Sequence, residues 1–442
     1  MAPQLSAVNL DSTVSPLEEL SSIITKNTSI VSQYLQANHL PQPSPEANGP
    51  VAVLPSNAPQ DIQRARQQLI AASLEIFQLA IGPSEFLPHL ATNFQYISCL
   101  TWLAHYDIFH LVPRDKNISY ADLARAAGVP EQRLKSILRM SMTSSLFREH
   151  PNGTDVGHSA VSALLASDDD AYSYATYMCS KTAPMAMSMT EAHKRWGAST
   201  RTNETAYNVA FNTDLPLFDD LAQNKARMDE FARYMRSVRS SETVALKHLV
   251  SGVDWKKIPA GGMVVDVGGS TGGAAIALAQ AYPHIRFTIQ DLPENVETGE
   301  KAAAASLPAD IASRLTFQAH DFTLPQPVRA ADAYLLRMIL HDWPDEQAMN
   351  ILRNIVTAMD ETKSRLFIMD TVLPRPGSVP ISVERIARAR DLTMIQSFNS
   401  KERELDEWKE LITAADPRLQ LIGVTQPLGS AMSILEIQLS EK

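Results

Sequence analysis

Cysteine is almost missing from this 442-residue chain, which has only Cys99 and Cys179. The two are not at metal-ligand spacing, and both read as buried packing residues rather than a disulfide or a nucleophile. No other ligand cluster suggests a metal. Positive charge is also short. The 39 Lys and Arg against 49 Asp and Glu leave a formal charge of −10, which argues against a nucleic-acid partner, because phosphate binding needs a basic face. No window approaches the ~18 consecutive apolar residues of a membrane span, so no membrane partner is expected. Met1 to Leu10 lacks the basic start and apolar core of a signal peptide, which makes the cytosol the expected compartment. What the chain does have is length and 45% apolar residues, enough for two or three domains.

The amino-terminal half reads as helices. Leu17, Leu20, Ile23, Ile24, Ile30, Val31 and Leu35 recur at helical spacing over residues 15–40, with Ser15 and Pro16 as cap and first-turn pair. Such a stripe must be buried on its own domain or on a partner subunit. The Pro- and Ser-rich segment from Pro41 to Gln60 marks a linker. Helices are predicted over 61–79 and 96–109. Ser119 to Gly128 reads as a capped helix ended by glycine, and Pro130 to Arg139 as the helix after the turn. Leu146–Glu149 and Val156–His158, joined through Pro151-Asn-Gly153, fit a small β-wing. The winged-helix pattern carries Arg133, Lys135 and Arg139, but the acidic total and the lack of a basic wing favour a packing and dimerisation module over a DNA reader. Residues 170–252 read as helical, clearest over 188–196 and 224–250.

From Gly261 onward strands and helices alternate. Strands are expected at 263–267, 286–290, 315–318, 333–336 and 365–369, which is βαβ spacing and an open parallel sheet. Two alternating stretches, 419–424 and 432–439, are suited to pair antiparallel at its edge. The most informative segment is Val264-Val-Asp-Val-Gly-Gly-Ser-Thr-Gly-Gly273, followed after the next strand by Asp291. Gly268, Gly269, Gly272 and Gly273 allow a tight turn and close approach of backbone to a ligand. Asp291 stands where open α/β sheets bind ligands, and its carboxylate suits two ribose hydroxyls. A dinucleotide fingerprint would need glycine at 270, where Ser270 stands, and no Gly-Lys-Ser or Gly-Lys-Thr follows. The loop is of the kind found in enzymes that bind S-adenosylmethionine (SAM), a nucleoside without pyrophosphate.

A second segment, Tyr334-Leu-Leu-Arg-Met-Ile-Leu-His-Asp-Trp-Pro-Asp-Glu346, runs an apolar strand into a His-Asp-Trp turn. That puts His341 at the carboxyl edge of the sheet. The ordered set of glycine loop, Asp291-Leu292, His320-Asp321-Phe322, Arg337 with His341-Asp-Trp, Phe367-Ile-Met-Asp370 and Lys401-Glu402-Arg403 resembles SAM-dependent O-methyltransferases of the plant caffeate and fungal secondary-metabolite type. The likeness covers about residues 86–440.

The resemblance implies roles. Gly268 and Gly269 would line the cofactor loop, with Asp291 and the adjoining Leu292 at the ribose. Asp321 and Phe322 would meet the adenine, and Arg337 would stand beside the cofactor. His341 matches the general base, with Asp370 and Glu402 flanking it. Met394 and Phe398 are the expected substrate contacts, and further pocket residues would come from 207–218, 234–238 and 394–398. Asn399-Ser400 departs from a Gly-Gly common in that family and so bears on the acceptor pocket; Ser270 replaces a third glycine.

The expected fold class is α/β, a Rossmann-like SAM-binding open parallel sheet preceded by an all-α winged-helix-like domain. The expected divisions are an amino-terminal helix and linker over 1–60, a dimerisation domain over 61–190, connecting helices over 191–255 and a catalytic domain over 256–442. The expected activity is methyl transfer from SAM to a hydroxyl of an aromatic or polyketide-like small molecule, by a homodimer and without metal. The alternative is a relative that keeps SAM as a fixed positive charge for a dehydration or pericyclic reaction. His341, Asp370 and Glu402 favour transfer.

Overall fold

Runs of β-branched and aliphatic residues build the sheet that carries the site. The computed structural model describes residues 14–440. Met1 to Leu10, on which the cytosolic expectation rests, lie outside them. The seven strands are β1 (Met263–Val267), β2 (Arg286–Asp291), β3 (Leu315–Ala319), β4 (Ala333–Arg337), β5 (Arg365–Asp370), β6 (Leu419–Thr425) and β7 (Ser433–Leu439). Their order is β3-β2-β1-β4-β5-β7-β6. β1 to β5 are parallel, and β7 runs antiparallel to both β5 and β6. Four of the parallel strands run one residue beyond their expected ends. Asp291 is paired with Ala319 and Arg337 with Met369, so both sit on the ladder itself.

Alternation along each strand feeds two cores. Val265, Val267 and Leu336 face Ile351, Leu352, Trp408 and Ile412 on one side. Val264, Ala333 and Leu335 face Leu249, Trp255, Ala275 and Leu278 on the other. The strand order reverses between β1 and β4, and the loops leaving their carboxyl ends open a crevice there. Position along the sheet therefore decides where the chemistry can be.

The chain forms two compact units. The sheet belongs to the unit of Ser188–Asp219, Arg239–Pro376 and Ile386–Lys442. The other unit holds the chain up to Met187, with Asp220–Val238 and Gly377–Arg385.

In that other unit the Pro16–Ala37 helix starts with a Ser15–Glu18 capping box and buries Asn27, Val31 and Leu35. The Gln60–His105 segment is helical throughout except at Gly82, where φ is 57° and ψ −179°. The expected stop near Leu79 is thus a kink only. The helix resumes at Pro83, where a missing N–H costs nothing in a new first turn. By length and composition this is the one described helix long and apolar enough to cross a membrane. The reading of no such segment, drawn from unbroken apolar runs, is corrected to that extent, since its apolar residues are interspersed.

The winged-helix pattern is present. Ser119 caps the Tyr120–Ala127 helix, and Gly128 ends it at φ 68°. Glu131–Met142 follows, then the strands Arg148–Glu149 and Asp155–Gly157. Asp155–Gly157 also pairs with Ile118–Ser119, an unforeseen third strand. Arg139 donates to Glu149 at 2.8 Å, and Lys135 to the Gly153 carbonyl at 2.9 Å. Two of the three basic residues on the second helix are thus spent on the wing.

The expected long helix over 224–250 is broken. Lys225–Ser240 stops, a 3-10 turn covers Glu242–Val244, and Lys247–Gly252 begins again. Ser240 and Ser241 favour the interruption, because their hydroxyls compete for backbone partners. Val244 is buried at the break.

Candidate active site

β4 ends at Arg337, and Met338 takes a left-handed φ of 55°. This turns the chain out of the sheet and into the 3-10 turn Leu340–Asp342. His341 is buried there. Its Nδ1 lies 3.0 Å from Glu402 Oε1. Asp370, the last residue of β5, places Oδ1 3.9 Å from the same nitrogen. Asp342 Oδ1 is 3.6 Å from Nε2. The structure therefore brings His341, Asp370 and Glu402 together, and adds a third acid that sequence reasoning passed over. Its signal was its place inside the His-Asp-Trp turn, where a 3-10 geometry folds neighbouring side chains onto each other.

Arg403 was quoted only as part of a motif, yet it holds this turn in place. Its guanidinium, fully buried, donates to the Leu340 carbonyl at 2.9 Å and the Trp343 carbonyl at 2.9 Å. It also grips Asp345 Oδ1 at 2.9 and 2.7 Å. One planar fork thus fixes the backbone on both sides of His341, which an ammonium would not do.

The electrostatics follow from burial and crowding. Burial pulls the His341 imidazole toward the neutral form, but Asp370, Glu402 and Asp342 outweigh it and hold its pKa well above the usual value. Burial pushes Asp370 up to about 7, with Glu402 and Asp342 adding to the rise and His341 opposing it. Asp342 is likewise pushed up to about 6 by burial, against the pull of His341. Neither oxygen of Asp370 has a hydrogen-bond partner among the described residues, nor does Glu402 Oε2.

The glycine loop leaves β1 with Gly268 at φ 71° and Ser270 at φ 53°. A Cβ on Gly268 would lie 2.6 Å from Ile339 Cδ1, and one on Gly269 2.7 Å from Asp266 Oδ2. Ser270 accepts the left-handed conformation, and its N–H donates to Asp291 Oδ2 at 2.7 Å. Asp291 Oδ1 accepts from the Leu292 N–H at 2.8 Å and from Asn295 Nδ2 at 2.7 Å. One lone-pair direction remains open, on Oδ2. Leu292 is 54% exposed and precedes the Pro293–Ser306 helix.

Asp321 Oδ1 accepts from the Thr323 N–H and hydroxyl at 2.8 and 2.7 Å. Phe322 meets Trp343 edge-on at 5.8 Å, and its Cε1 would be 3.4 Å from a Cβ on Gly268. Arg337 donates to the Val244 carbonyl at 2.5 Å, which the helix break makes available. Burial and the like charge of Arg239 lower Arg337 to about 10, while Asp266 and Asp370 raise it.

Phe398 is buried and stacks on Phe218 at 5.4 Å. The Met394 carbonyl accepts from the Ser400 N–H at 3.4 Å. Tyr234 belongs to the other compact unit, where it stacks on Tyr177 at 4.1 Å.

Comparison with known proteins decides the family. Residues 195–416 match the O-methyltransferase domain, and residues 89–168 match the O-methyltransferase dimerisation domain. The chain is 94% identical over 442 residues to O-methyltransferase pgmB of Aspergillus terreus, with 100% of both chains covered. It belongs to the SAM-dependent O-methyltransferases.

The solved structure "A Pericyclic Reaction enzyme" overlays on this methyltransferase with a TM-score of 0.72 at 24% identity, covering 95% of this chain and 100% of that one. "Crystal structure of OxaC in complex with sinefungin and meleagrin" gives a TM-score of 0.74 at 19% identity, covering 95% and 99%. At these identities the likeness establishes the fold: a Rossmann-like sheet and a winged-helix region. The residues of this methyltransferase fit SAM on their own terms. Asp266 Oδ2 and Arg337 Nε are buried without hydrogen-bond partners among the described residues. The two glycines let the loop pass where a Cβ would strike Ile339 and Asp266, and Asp291 retains an open acceptor.

Proposed function

We propose that the protein methylates a phenolic or enolic hydroxyl of an aromatic or polyketide-like small molecule in fungal secondary metabolism, with His341 as general base. The observation that carries this reading is the 3.0 Å contact between His341 Nδ1 and Glu402 Oε1. It commits the Nδ1 proton to the carboxylate and leaves Nε2 to take a proton from the acceptor, the logic of a catalytic triad. A phenol of pKa about 10 is a poor nucleophile near neutrality until its proton is removed. Imidazolium formed in the reaction is stabilised by Glu402 directly and by Asp370 and Asp342 through space.

Gly268 and Gly269, Asp291 with Leu292, Asp321 with Phe322, and Arg337 would hold SAM, which supplies an electrophilic methyl group on a sulfonium. Asp291 Oδ2 would accept one ribose hydroxyl. A second hydroxyl would displace the exposed Asn295 side chain from Oδ1. Asp266 and Arg337 would take polar groups of the amino-acid end. Met394 and Phe398 would border the acceptor.

One observation favours a second reading. A histidine whose pKa Asp370, Glu402 and Asp342 hold above its usual value favours the protonated ring, and an imidazolium is an acid. In that reading SAM is retained and His341 protonates a rearranging substrate. Incubation with labelled SAM and a panel of phenols separates the two. S-adenosylhomocysteine rising one-for-one with product supports transfer, and product without it overturns the methyltransferase reading. Under transfer, His341→Ala loses about 10²–10⁴ in turnover while still binding SAM.

The assembly we propose is a homodimer. Phe86, Leu87, Leu90 and Phe94 of the Gln60–His105 helix are all exposed. They flank or lie within the stretch that matches the dimerisation domain, and a second copy would bury them.

A further inference from the structure

We propose that Asn399 is the residue that sets acceptor specificity, by clamping an aromatic wall of the pocket to the loop that carries Glu402. The inference rests on the methyltransferase reading of the site. Asn399 has a left-handed φ of 52°, the conformation that glycine adopts without penalty. A side chain at such a position points to a task that glycine cannot do. Here the task is visible: Asn399 Nδ2 donates to the Arg201 carbonyl at 2.7 Å and to the Glu204 carbonyl at 3.0 Å.

Those carbonyls belong to a strap, residues 199–218, that is tied into one body. Ser199 Oγ donates to Glu204 Oε2 at 2.6 Å, and Asn203 Nδ2 to the Asp214 carbonyl at 3.1 Å. Thr205 and Asn208 form a capping box at the Ala206–Phe211 helix. Asn208 Nδ2 spans the carbonyls of Thr213 and Leu215 at 2.9 and 2.8 Å. The strap carries Tyr207, which is buried, and Phe211 with its ring 4.9 Å away, and ends at Phe218, which stacks on Phe398. It is thus docked twice on one short stretch, by the aromatic stack at 398 and by the amide at 399.

Three residues further on, Glu402 meets His341. Between them Ser400 is buried, with its hydroxyl unpartnered among the described residues. The cofactor loop leaves β1 and β2 and shares none of these bonds. Moving the strap therefore shifts the aromatic wall relative to His341 and leaves the cofactor residues alone. A flat aromatic acceptor resting on that wall has its hydroxyl placed against Nε2 by the wall's position, so the clamp selects which acceptor, and which hydroxyl, reacts.

The test uses the full-length protein, Asn399→Gly and Asn399→Asp. Glycine keeps the backbone conformation and removes the donor; aspartate keeps the size and turns the donor into an acceptor facing two carbonyls. The probes are 1,3-dihydroxynaphthalene, whose two hydroxyls are inequivalent, and catechol. The expected result in both variants is a rise of about tenfold in KM for the naphthalene diol, the worth of two ordinary hydrogen bonds, with kcat within about twofold. The ratio of the two monomethyl ethers should move toward equality, and SAM affinity should stay unchanged. Hydrogen exchange should quicken across 199–218. Faster exchange with unchanged KM and isomer ratio would make the clamp purely structural and overturn the proposal, as would an equal loss of SAM affinity. Binding of the diol by calorimetry, with S-adenosylhomocysteine present, separates the two readings. A diol that binds there, yet gives neither methyl ether nor S-adenosylhomocysteine when incubated with SAM instead, sinks the transferase reading, and the clamp is then judged on Kd in place of KM. Failure of wild-type protein to bind either probe overturns the aromatic wall itself.

Discussion

His341 Nδ1 is 3.0 Å from Glu402 Oε1 and 3.9 Å from Asp370 Oδ1. Only the first is a hydrogen bond, so the two acids differ in their hold on the imidazole. In the proposed mechanism Glu402 orients the ring and fixes its tautomer. The Asp370 carboxylate, without a hydrogen-bond partner among the described residues, acts on its charge from a distance. Glu402→Gln should therefore cost about 10²-fold in turnover, and Asp370→Asn less than about tenfold. Steady-state rates at saturating SAM and acceptor check the ranking; equal losses would remove the distinction.

The pH dependence follows from the same cluster. Only neutral imidazole accepts a proton, so kcat/KM for the acceptor should rise with pH, with a midpoint above the ordinary 6.5 of histidine. Asp370→Asn removes one of the charges holding the imidazolium and should move that midpoint down. Stability runs the other way. Asp370 has its pKa raised from 3.8 to about 7 in the fold, so across that window the folded state binds more protons than the unfolded one. Stability from this group falls as pH rises. The stability from His341, raised above its unfolded value, is likewise present below that value and lost as pH climbs through the folded one. The Tm difference between about pH 5.5 and about pH 8 should shrink in Asp370→Asn relative to wild type. An unchanged difference would place the pH-sensitive stability elsewhere.

Asp291 has two duties that one substitution exposes together. It accepts from the Ser270 N–H of the glycine loop and, in the proposed reading, keeps an acceptor for a ribose hydroxyl. Asp291→Ala should weaken SAM binding about 10- to 100-fold, as loss of one or two charge-assisted hydrogen bonds does. The Tm should fall as well, because the carboxylate also accepts from the Ser270 and Leu292 N–H groups and the Asn295 amide. Titration calorimetry with SAM is the check, and full affinity would take Asp291 out of the cofactor site.

Arg403 should couple stability to catalysis. Arg403→Lys leaves the Leu340 and Trp343 carbonyls without their fork and breaks the contact with Asp345. A loss of about 3 kcal/mol is expected, with a fall in kcat as the His341 turn loosens. Thermal denaturation and kcat measured on one preparation decide it. A lower Tm with intact kcat would confine Arg403 to the core.

The apolar helix face gives the test of assembly. Leu90→Glu with Phe94→Glu should shift the protein to monomer in sedimentation, since two carboxylates cannot be buried in an apolar interface. A dimer that survives both changes would show that other surfaces hold the copies together.

Much of this protein was legible in its sequence, for reasons that are local. A short, valine-rich run closed by a glycine pair, Met263-Val-Val-Asp-Val267 before Gly268-Gly269, reads as a buried strand, and β1 lies at its predicted ends. Ser119 and Gly128 marked a helix because caps act within one turn. His341, Asp370 and Glu402 could be named because each sits in a short run of recognisable residues. Other features came from the tertiary structure alone. Asp342 faces Nε2 because a 3-10 turn follows the left-handed Met338. Val244 offers its carbonyl to Arg337 because a helix breaks 93 positions earlier in the chain. Asn399 holds Arg201 and Glu204 across 198 and 195 positions. The ranking of the acids and the raised pKa of His341 depend on distances of a few tenths of an ångström and on exclusion of water. Sequence periodicity reports which side of an element is buried; only the folded chain decides which charges share the space it buries.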